Sequence, residues 1–339
     1  MVTINDVADA AGVAPSTVSY VLSGKRSISP RTRRVVETAI RKLGYHPHAG
    51  ARALASNRTN VLALVVPLRA DLNVSVVMEF VASAATAARE HDQDLLLVTK
   101  NEGPAALQRI ASSAIADALM VMDVEVSDSR LPVLVALDRP TVLIGVPDYP
   151  AGLSCVDLDF TAAGAACVAH LGDLGHRRVA LIGPTPAVYQ RGTSYATRFL
   201  HGFAEEAKRR EIHAITQECT GSYEASHTAL DALFTRDPGI TGLIVHNEAA
   251  LPALLSGLRQ RNLRVPEDIS VVAVCPDSMA GQHATGLTTV AIPAEEIGAQ
   301  AVEMTMRHLG GHTTPEIRLL SPRLTTRDST APPRPEPVS

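Results

Sequence analysis

The sequence predicts an α/β protein with an N-terminal helix-turn-helix headpiece and a two-subdomain core of doubly wound parallel sheets. Three observations carry that expectation. Basic charge gathers in the first sixty residues. Two short apolar helical faces in that stretch meet at a glycine turn. From residue 60 onward, apolar strand-like runs alternate with helical periodicity.

At roughly 150 residues per domain, 339 residues suggest about two domains, and an apolar fraction of 46% is enough for packed cores. Collagen-like, disordered and mini-protein classes are excluded. The longest apolar run, Val61 to Leu68, falls short of the roughly 18 residues of a membrane span and contains a proline. The N-terminus carries Asp6 and Asp9 and lacks a basic region followed by an apolar one, so no secretory signal is expected and the chain should act in the cytoplasm. Cys155, Cys167, Cys219 and Cys275 lie far apart in sequence, which suits reduced, buried thiols rather than a zinc site or a redox pair. Residues 1–60 hold nine Lys and Arg against three Asp and Glu, a net +6, leaving −10 for the remainder of a chain whose total is −4. A basic module on an acidic body suits a polyanion-binding headpiece, and the charge alone suits a solvated basic face equally well.

Within that module, Ile4, Val7, Ala8 and Ala11 recur at helical spacing, with Thr3 placed to cap the start and Gly12 to break the end. After the Gly12-Val13 turn, Pro15 suits the first position of a second helix whose apolar face is Val18, Val21 and Leu22. Ser16, Thr17, Ser19, Tyr20 and Ser23 are left pointing outward. On a helix in the major groove, short hydroxyls reach base edges and phosphates, while a tyrosine packs on sugar or a thymine methyl. A third helix is marked by Ser29 as cap, Pro30 at the first position, an apolar face of Val35, Val36, Ala39, Ile40 and Leu43, and Gly44 as terminator. Residues 49–55 form a weakly apolar, helix-capable stretch that would not fold alone in water, and so read as a linker that needs a partner.

Through Thr3-Ile4-Asn5-Asp6-Val7-Ala8, Ala11-Gly12-Val13, Ser16-Thr17-Val18-Ser19, Leu43-Gly44-Tyr45 and Ala51-Arg52-Ala53-Leu54-Ala55, the chain resembles the LacI/GalR (lactose-repressor) family of bacterial transcription regulators. The resemblance implies a linker that becomes a hinge helix on operator DNA, with Leu54 wedging into the central base step of the minor groove. It also implies DNA contacts at Thr3, Ser16, Thr17, Ser19, Tyr20, Thr32, Tyr45, His48 and Ala51. Two positions depart from the family pattern. Tyr20 stands where an arginine is common, removing a bidentate guanine reader. Ala14 replaces a hydroxyl cap at a cost of about 1 kcal/mol.

In the acidic body, Val61 to Val66, Asp94 to Val98, Ala118 to Met122 and Thr141 to Ile144 read as buried strands, with Val76 to His91 helical between the first two. A second series begins with a helix from near Ala162 to Leu174. It continues through strand Arg178 to Ile182, helix Ala196 to Arg210, strand Gly242 to Val245, helix Leu251 to Arg261 and strand Ser270 to Val274. Two such sheets imply a cleft between them. The runs Leu174-Gly175-His176-Arg177-Arg178-Val179-Ala180, Val265 to Val272 and Leu287-Thr288-Thr289-Val290 resemble the same family's core, which is periplasmic-binding-protein-like. A small effector is then expected at the carboxyl ends of strands from both sheets. The resemblance places Asn247 on an effector-binding position, Asn73 in a loop over the cleft and Asp159 at the first crossing between subdomains. Phe199 occupies the slot of the family's effector arginine, with Arg198 one residue earlier. Cys275-Pro276 replaces an aspartate pair, with Asp277 next, and Glu248 stands in for the aspartate that usually follows Asn247. These changes point to a different ligand or a shifted grip.

No P-loop, dinucleotide fingerprint or zinc-spaced histidine pair occurs, so the sequence gives no reason to expect an enzyme, a metal or a cofactor. Pro293 opens a helix through His308 whose Ile297, Ala301 and Met304 suit packing on the first subdomain, and Glu316 to Leu320 could return as an edge strand. The expected boundaries are 1–46 for the headpiece, 47–58 for the hinge, and 59–328 for the core. Within the core, 59–157 with 291–315 forms the first subdomain and 158–290 with 316–328 the second. Residues 329–339 are a proline-rich tail expected to be disordered, and the absence of leucine heptads leaves a homodimer matched to palindromic operator DNA. The expectation is a repressor released by a small sugar or related metabolite. A corepressor-dependent repressor and a solute-binding receptor remain as alternatives, the latter opposed by the basic headpiece.

Overall fold

A computed structural model describes residues 2–23, 26–45, 58–69, 72–100, 103–113, 115–137, 139–281 and 286–334. Residues 47–57 of the expected hinge, with His48, Ala51 and Leu54, lie outside the described residues.

The headpiece is built from α1 (Ile4–Ala11), α2 (Pro15–Ser23) and α3 (Pro30–Leu43). Thr3 and Asp6 cap α1 reciprocally: the Asp6 amide donates to the Thr3 hydroxyl at 3.3 Å and the Thr3 amide to the Asp6 carboxylate at 2.7 Å. Gly12, at φ +64°, supplies the left-handed turn into α2, and Ser29 caps α3 by accepting from the Thr32 amide at 3.2 Å. Val7, Val18 and Val36 are fully buried at the centre, one from each helix.

The first subdomain's sheet runs, in spatial order, β2 (Asp94–Val98), β1 (Val61–Val65), β3 (Ala118–Val121), β4 (Thr141–Ile144), β5 (Ser154–Leu158) and β11 (Ile317–Leu320), all parallel. The second runs β7 (His213–Glu218), β6 (Arg178–Gly183), β8 (Gly242–Val245), β9 (Ser270–Cys275), β10 (Thr288–Ala291) and β12 (Leu324–Thr325), parallel except for the last pairing. Central strands β3, β4, β8 and β9 are buried along their whole length because helices cover both faces, which is why they read as continuous apolar runs. In chain order the core helices are α4 (Val74–Glu90), α5 (Gly103–Ser112), α6 (Leu131–Ala136), α7 (Phe160–Asp173), α8 (Pro186–Gln190), α9 (Ser194–Arg209), α10 (Tyr223–Arg236), α11 (Leu251–Gln260), α12 (Asp277–Ala280) and α13 (Ala294–Leu309). Helices α4 and α13 pack together over the first sheet, and Ile297, Ala301 and Met304 face inward.

Two expected boundaries need correction. The segment assigned to the second subdomain from residue 316 instead begins with β11, which pairs parallel with β5 in the first sheet, so the last crossing follows Leu320. An open edge of β5 offers unpaired backbone groups that a nearby extended segment satisfies. The tail also does not begin at residue 329. The Val271 amide donates to the Ser329 carbonyl at 2.8 Å, the Thr288 amide to the Ser329 hydroxyl at 2.8 Å, and the Ala331 amide to Ser270 Oγ at 3.0 Å. Ser329 is fully buried, and Arg334 pairs with Asp268 at 2.6 Å. Composition marks this segment as proline-rich, but hydrogen bonding at the start of β9 and β10 holds it.

All four cysteines are buried and free. Among the described residues, no helix is long and apolar enough to cross a membrane.

Candidate functional site

On the headpiece, Ser16 is exposed and Thr17, Ser19 and Tyr20 half-buried along α2, opposite the face that carries Val18 and Val21 into the core. Arg26 lies over the Tyr20 ring at 5.6 Å, fixing the tyrosine beside a cation. Thr3 and Thr32 are both engaged at helix starts, Thr3 with Asp6 and Thr32 with the Ser29 hydroxyl at 2.8 Å. Tyr45 is buried, with 5% of it accessible, and belongs to the apolar core of the headpiece. Exposed Arg26, Arg31, Arg34, Arg41 and Lys42 give this small domain its positive surface.

The second site is the cleft. A cavity of ≈ 130 Å³ lies where the carboxyl ends of the two sheets face each other. From the first subdomain come Val66 beyond β1, Asn73 and Phe80 at α4, Asp123 beyond β3 and Gly145 beyond β4; from the second come Phe160, Tyr195, His246 and Glu248. A smaller cavity of ≈ 70 Å³ adjoins it on the second subdomain, lined by Thr185, Thr220 and Asn247 and sharing Asn73, Tyr195, His246 and Glu248. Aromatic side chains are only 3% of the sequence, yet several converge here. The His246 ring lies 4.0 Å from Phe199, with Tyr195 edge-on at 5.6 Å and Phe160 at 5.8 Å. Burial drives the imidazole's pKa down to about 3, so it is neutral.

Charge in the cleft is arranged in pairs across the two subdomains. Asp123, 3% exposed, is ion-paired with Arg69 from its own subdomain and lies 3.9 Å from Arg191 of the other. Asp157 is buried and receives Arg198 Nη1 at 3.0 Å; burial raises its pKa to about 7, against the opposing pull of that guanidinium. Backbone bonds from Val126 to Gly192 at 2.7 Å and from Ser194 to Val124 at 2.9 Å stitch the cleft's rim.

Of the effector candidates read from sequence, Asn73, Asn247 and Glu248 meet in the cleft. Asn73 caps α4 by accepting from the Ser75 amide at 3.1 Å and also hydrogen-bonds Glu248 across the gap; burial raises that carboxyl's pKa. Asn247 donates to the Cys219 carbonyl at 2.6 Å. Arg198, Asp159 and Asp277 line neither cavity. Arg198 is committed to Asp157 and, at 3.5 Å, to Asp159, which also caps α7. Asp277 opens α12 beyond the Pro276 turn, is 56% exposed and lies 3.6 Å from Arg327. Sequence reasoning missed His246, Thr185, Asp123 and the aromatic wall. His246 adjoins Asn247 and follows a recognised strand, and that position was the available signal.

Residues 3–48 match the family model described as bacterial regulatory proteins, lacI family, and residues 168–330 that of a periplasmic binding protein-like domain. The HTH-type transcriptional regulator CelR of Thermobifida fusca is 29% identical over 344 residues, covering 96% of this chain and 98% of that one. A solved CelR–cellobiose complex superposes with a TM-score of 0.69 at 26% identity, covering 97% of this chain and 100% of the other. The lac repressor dimer bound to operator and the anti-inducer ONPF gives a TM-score of 0.83 over 97% of this chain and 99% of that one, at 22% identity, a likeness of fold. With a capped helix-turn-helix at one end and a two-sheet cleft behind it, this chain belongs to the lacI family of bacterial regulatory proteins and is a sequence-specific, DNA-binding transcription regulator.

Proposed function

We propose that this regulator acts in the cytoplasm as a homodimeric repressor of a palindromic operator and is released by a small sugar or related metabolite bound between its subdomains. It is a binding protein with no catalytic role. The observation that carries the reading is the cavity at the carboxyl ends of both sheets, to which both subdomains contribute side chains. A ligand that touches both halves changes their relative placement, and the segments leading to the headpiece start from the first of them. The solved complex of CelR with cellobiose supports a sugar as the class of ligand.

The test is selection of genomic DNA fragments by the full-length protein at about 150 mM salt, where purely phosphate-driven binding is suppressed. Enrichment of one palindrome is expected, and its loss on adding a sugar that the neighbouring genes serve to take up or break down. Binding to all fragments alike refutes the operator reading, and tightening by the ligand refutes release in favour of corepression.

A further inference from the structure

We propose that β11 is a docking edge for a second copy of this chain, the two edge strands pairing antiparallel about a twofold axis at Ile317, and that the contact ties DNA-bound units together with their headpieces facing apart. β11 is the outermost strand of the first sheet, with β5 on one side of it. The Cys155 amide donates to the Glu316 carbonyl at 2.9 Å, the Glu316 amide to Ser154 Oγ at 3.1 Å and the Asp159 amide to the Leu320 carbonyl at 2.8 Å. Backbone groups alternate in direction along a strand, so those of Ile317 and Leu319 turn away from β5. The same two residues carry apolar side chains that are 53% and 43% exposed. Among the described residues, Ile317 and Leu319 are the only large hydrophobic side chains left exposed on any strand, although β2, β7 and β12 are edges as well. Free backbone groups and exposed apolar side chains together are what strand addition uses.

The occupant follows from charge. On the other face of β11, Arg318 Nε donates to Glu316 at 3.1 Å, and both belong to a cluster with α13, in which Arg307 pairs with Glu316 and Arg318 lies 3.6 Å from Glu303. Glutamates and arginines balance there, so a second copy meets no net repulsion. With the axis at Ile317, that residue meets its own counterpart through the outward backbone groups, Leu319 meets Pro315, whose carbonyl accepts, and Glu316 meets Arg318 on both sides of the axis. Directly opposite side chains lie about 4.5–5.5 Å apart, a separation at which unlike charges attract. Centring the axis on Arg318 would instead set that guanidinium against its own copy. A strand of unrelated sequence gains the backbone bonds but lacks the Glu-Ile-Arg order that is complementary to itself when reversed.

Strand direction decides what such a contact can do. The strands of the first sheet are all parallel, and β1 starts at Val61, shortly after the headpiece. Antiparallel joining reverses one sheet against the other, so the two chains enter from opposite ends of the joined sheets. This contact therefore cannot set two headpieces on one palindrome. It joins operator-bound dimers, and one assembly then holds two DNA sites. That last step rests on the dimeric operator reading proposed above, whereas the pairing of β11 does not.

Sedimentation equilibrium of the full-length protein at micromolar concentration tests the pairing. Ile317→Lys and Arg318→Glu place like charges against each other, should weaken association about tenfold or more, and should each halve the mass of the assembly. Combining Glu316→Arg with Arg318→Glu restores unlike charges in this register and should restore the wild-type mass. Far-ultraviolet circular dichroism should match the wild type throughout, because the substituted side chains lie outside the core. Once an operator is selected, an immobilised and a fluorescent operator fragment should be held together by the wild type and not by Ile317→Lys, while both proteins bind one fragment alike. Equal mass for the wild type and both single variants, or an exchange variant that stays dissociated, overturns the pairing. Bridging by Ile317→Lys, or none by the wild type, overturns the link between two DNA sites. If no palindrome is selected, the operator reading falls and sedimentation still decides the pairing.

Discussion

Replacing Gly202 by alanine tests how the aromatic wall of the cleft is held in place. Gly202 lies in α9, where it presses against α7. An added Cβ would lie 1.9 Å from the Thr161 carbonyl oxygen, 2.7 Å from its carbon and 3.0 Å from its Cα. These are backbone atoms, so no side-chain rotation relieves the clash. To bring that oxygen to the 3.4 Å at which ordinary van der Waals spacing begins, the helices must part by about 1.5 Å. The same seam is tight from the other side, where a Cβ on Gly164 would lie 2.3 Å from the Phe199 carbonyl oxygen. Separation therefore loosens Phe199 and Phe203, both almost wholly buried. Overpacking alone costs about 1–3 kcal/mol, and the weaker dispersion attraction around two loosened phenylalanines adds to it, so Gly202→Ala should destabilise the core by about 3 kcal/mol. Urea unfolding followed by far-ultraviolet circular dichroism measures this directly. Because Phe160, Tyr195 and Phe199 ride on α7 and α9, sugar affinity should fall with stability, while the headpiece, whose core is built from α1, α2 and α3, keeps its operator affinity. A loss of less than about 1 kcal/mol would show that the helices can part without cost and refute the argument.

Three further outcomes are expected. In the unfolded chain the His246 imidazole protonates near 6.5, whereas burial keeps it neutral in the folded protein down to about 3. The unfolded state thus holds the extra proton between those values, and stability should fall as pH drops through that window; the urea midpoint of His246→Phe should depend less on pH there. Ser329→Ala removes the partner of the Thr288 amide and a donor to the Val271 carbonyl, which should cost about 1–3 kcal/mol in thermal or urea unfolding; no change would mean that the C-terminal segment is dispensable. Leu54→Ala should weaken operator binding in a fluorescence-anisotropy titration and leave sugar affinity unaltered, and intact operator affinity would dismiss the minor-groove wedge.

The headpiece was legible because its determinants are local. Thr3 with Asp6, Gly12, Ser29 with Pro30, and Gly44 act within a few residues of themselves, and the apolar spacing states which face turns inward. The central strands were legible for a related reason. A strand covered on both faces must be apolar throughout, as in β8 and β9, and such runs stand out. Edge elements do not announce themselves in this way. The polar strand His213–Glu218 pairs on one side only and carries exposed residues, while β11 and the segment around Ser329 acquire their order from unpaired backbone groups supplied by distant strands. The same division runs through the cleft. Sequence pointed to Asn73, Asn247 and Glu248 through the family resemblance, which could be laid onto them because they follow recognisable strands. It could not tell that Arg198 spends its charge on Asp157 and Asp159, or that His246 Nδ1 lies unpartnered among Phe160, Tyr195 and Phe199. Helix caps, turns and buried periodicity are set by neighbours along the chain and so were determined by the sequence itself. Which charges are neutralised, which buried polar atoms find partners and where the last segment docks depend on residues brought together across two sheets, and only the tertiary structure decided them.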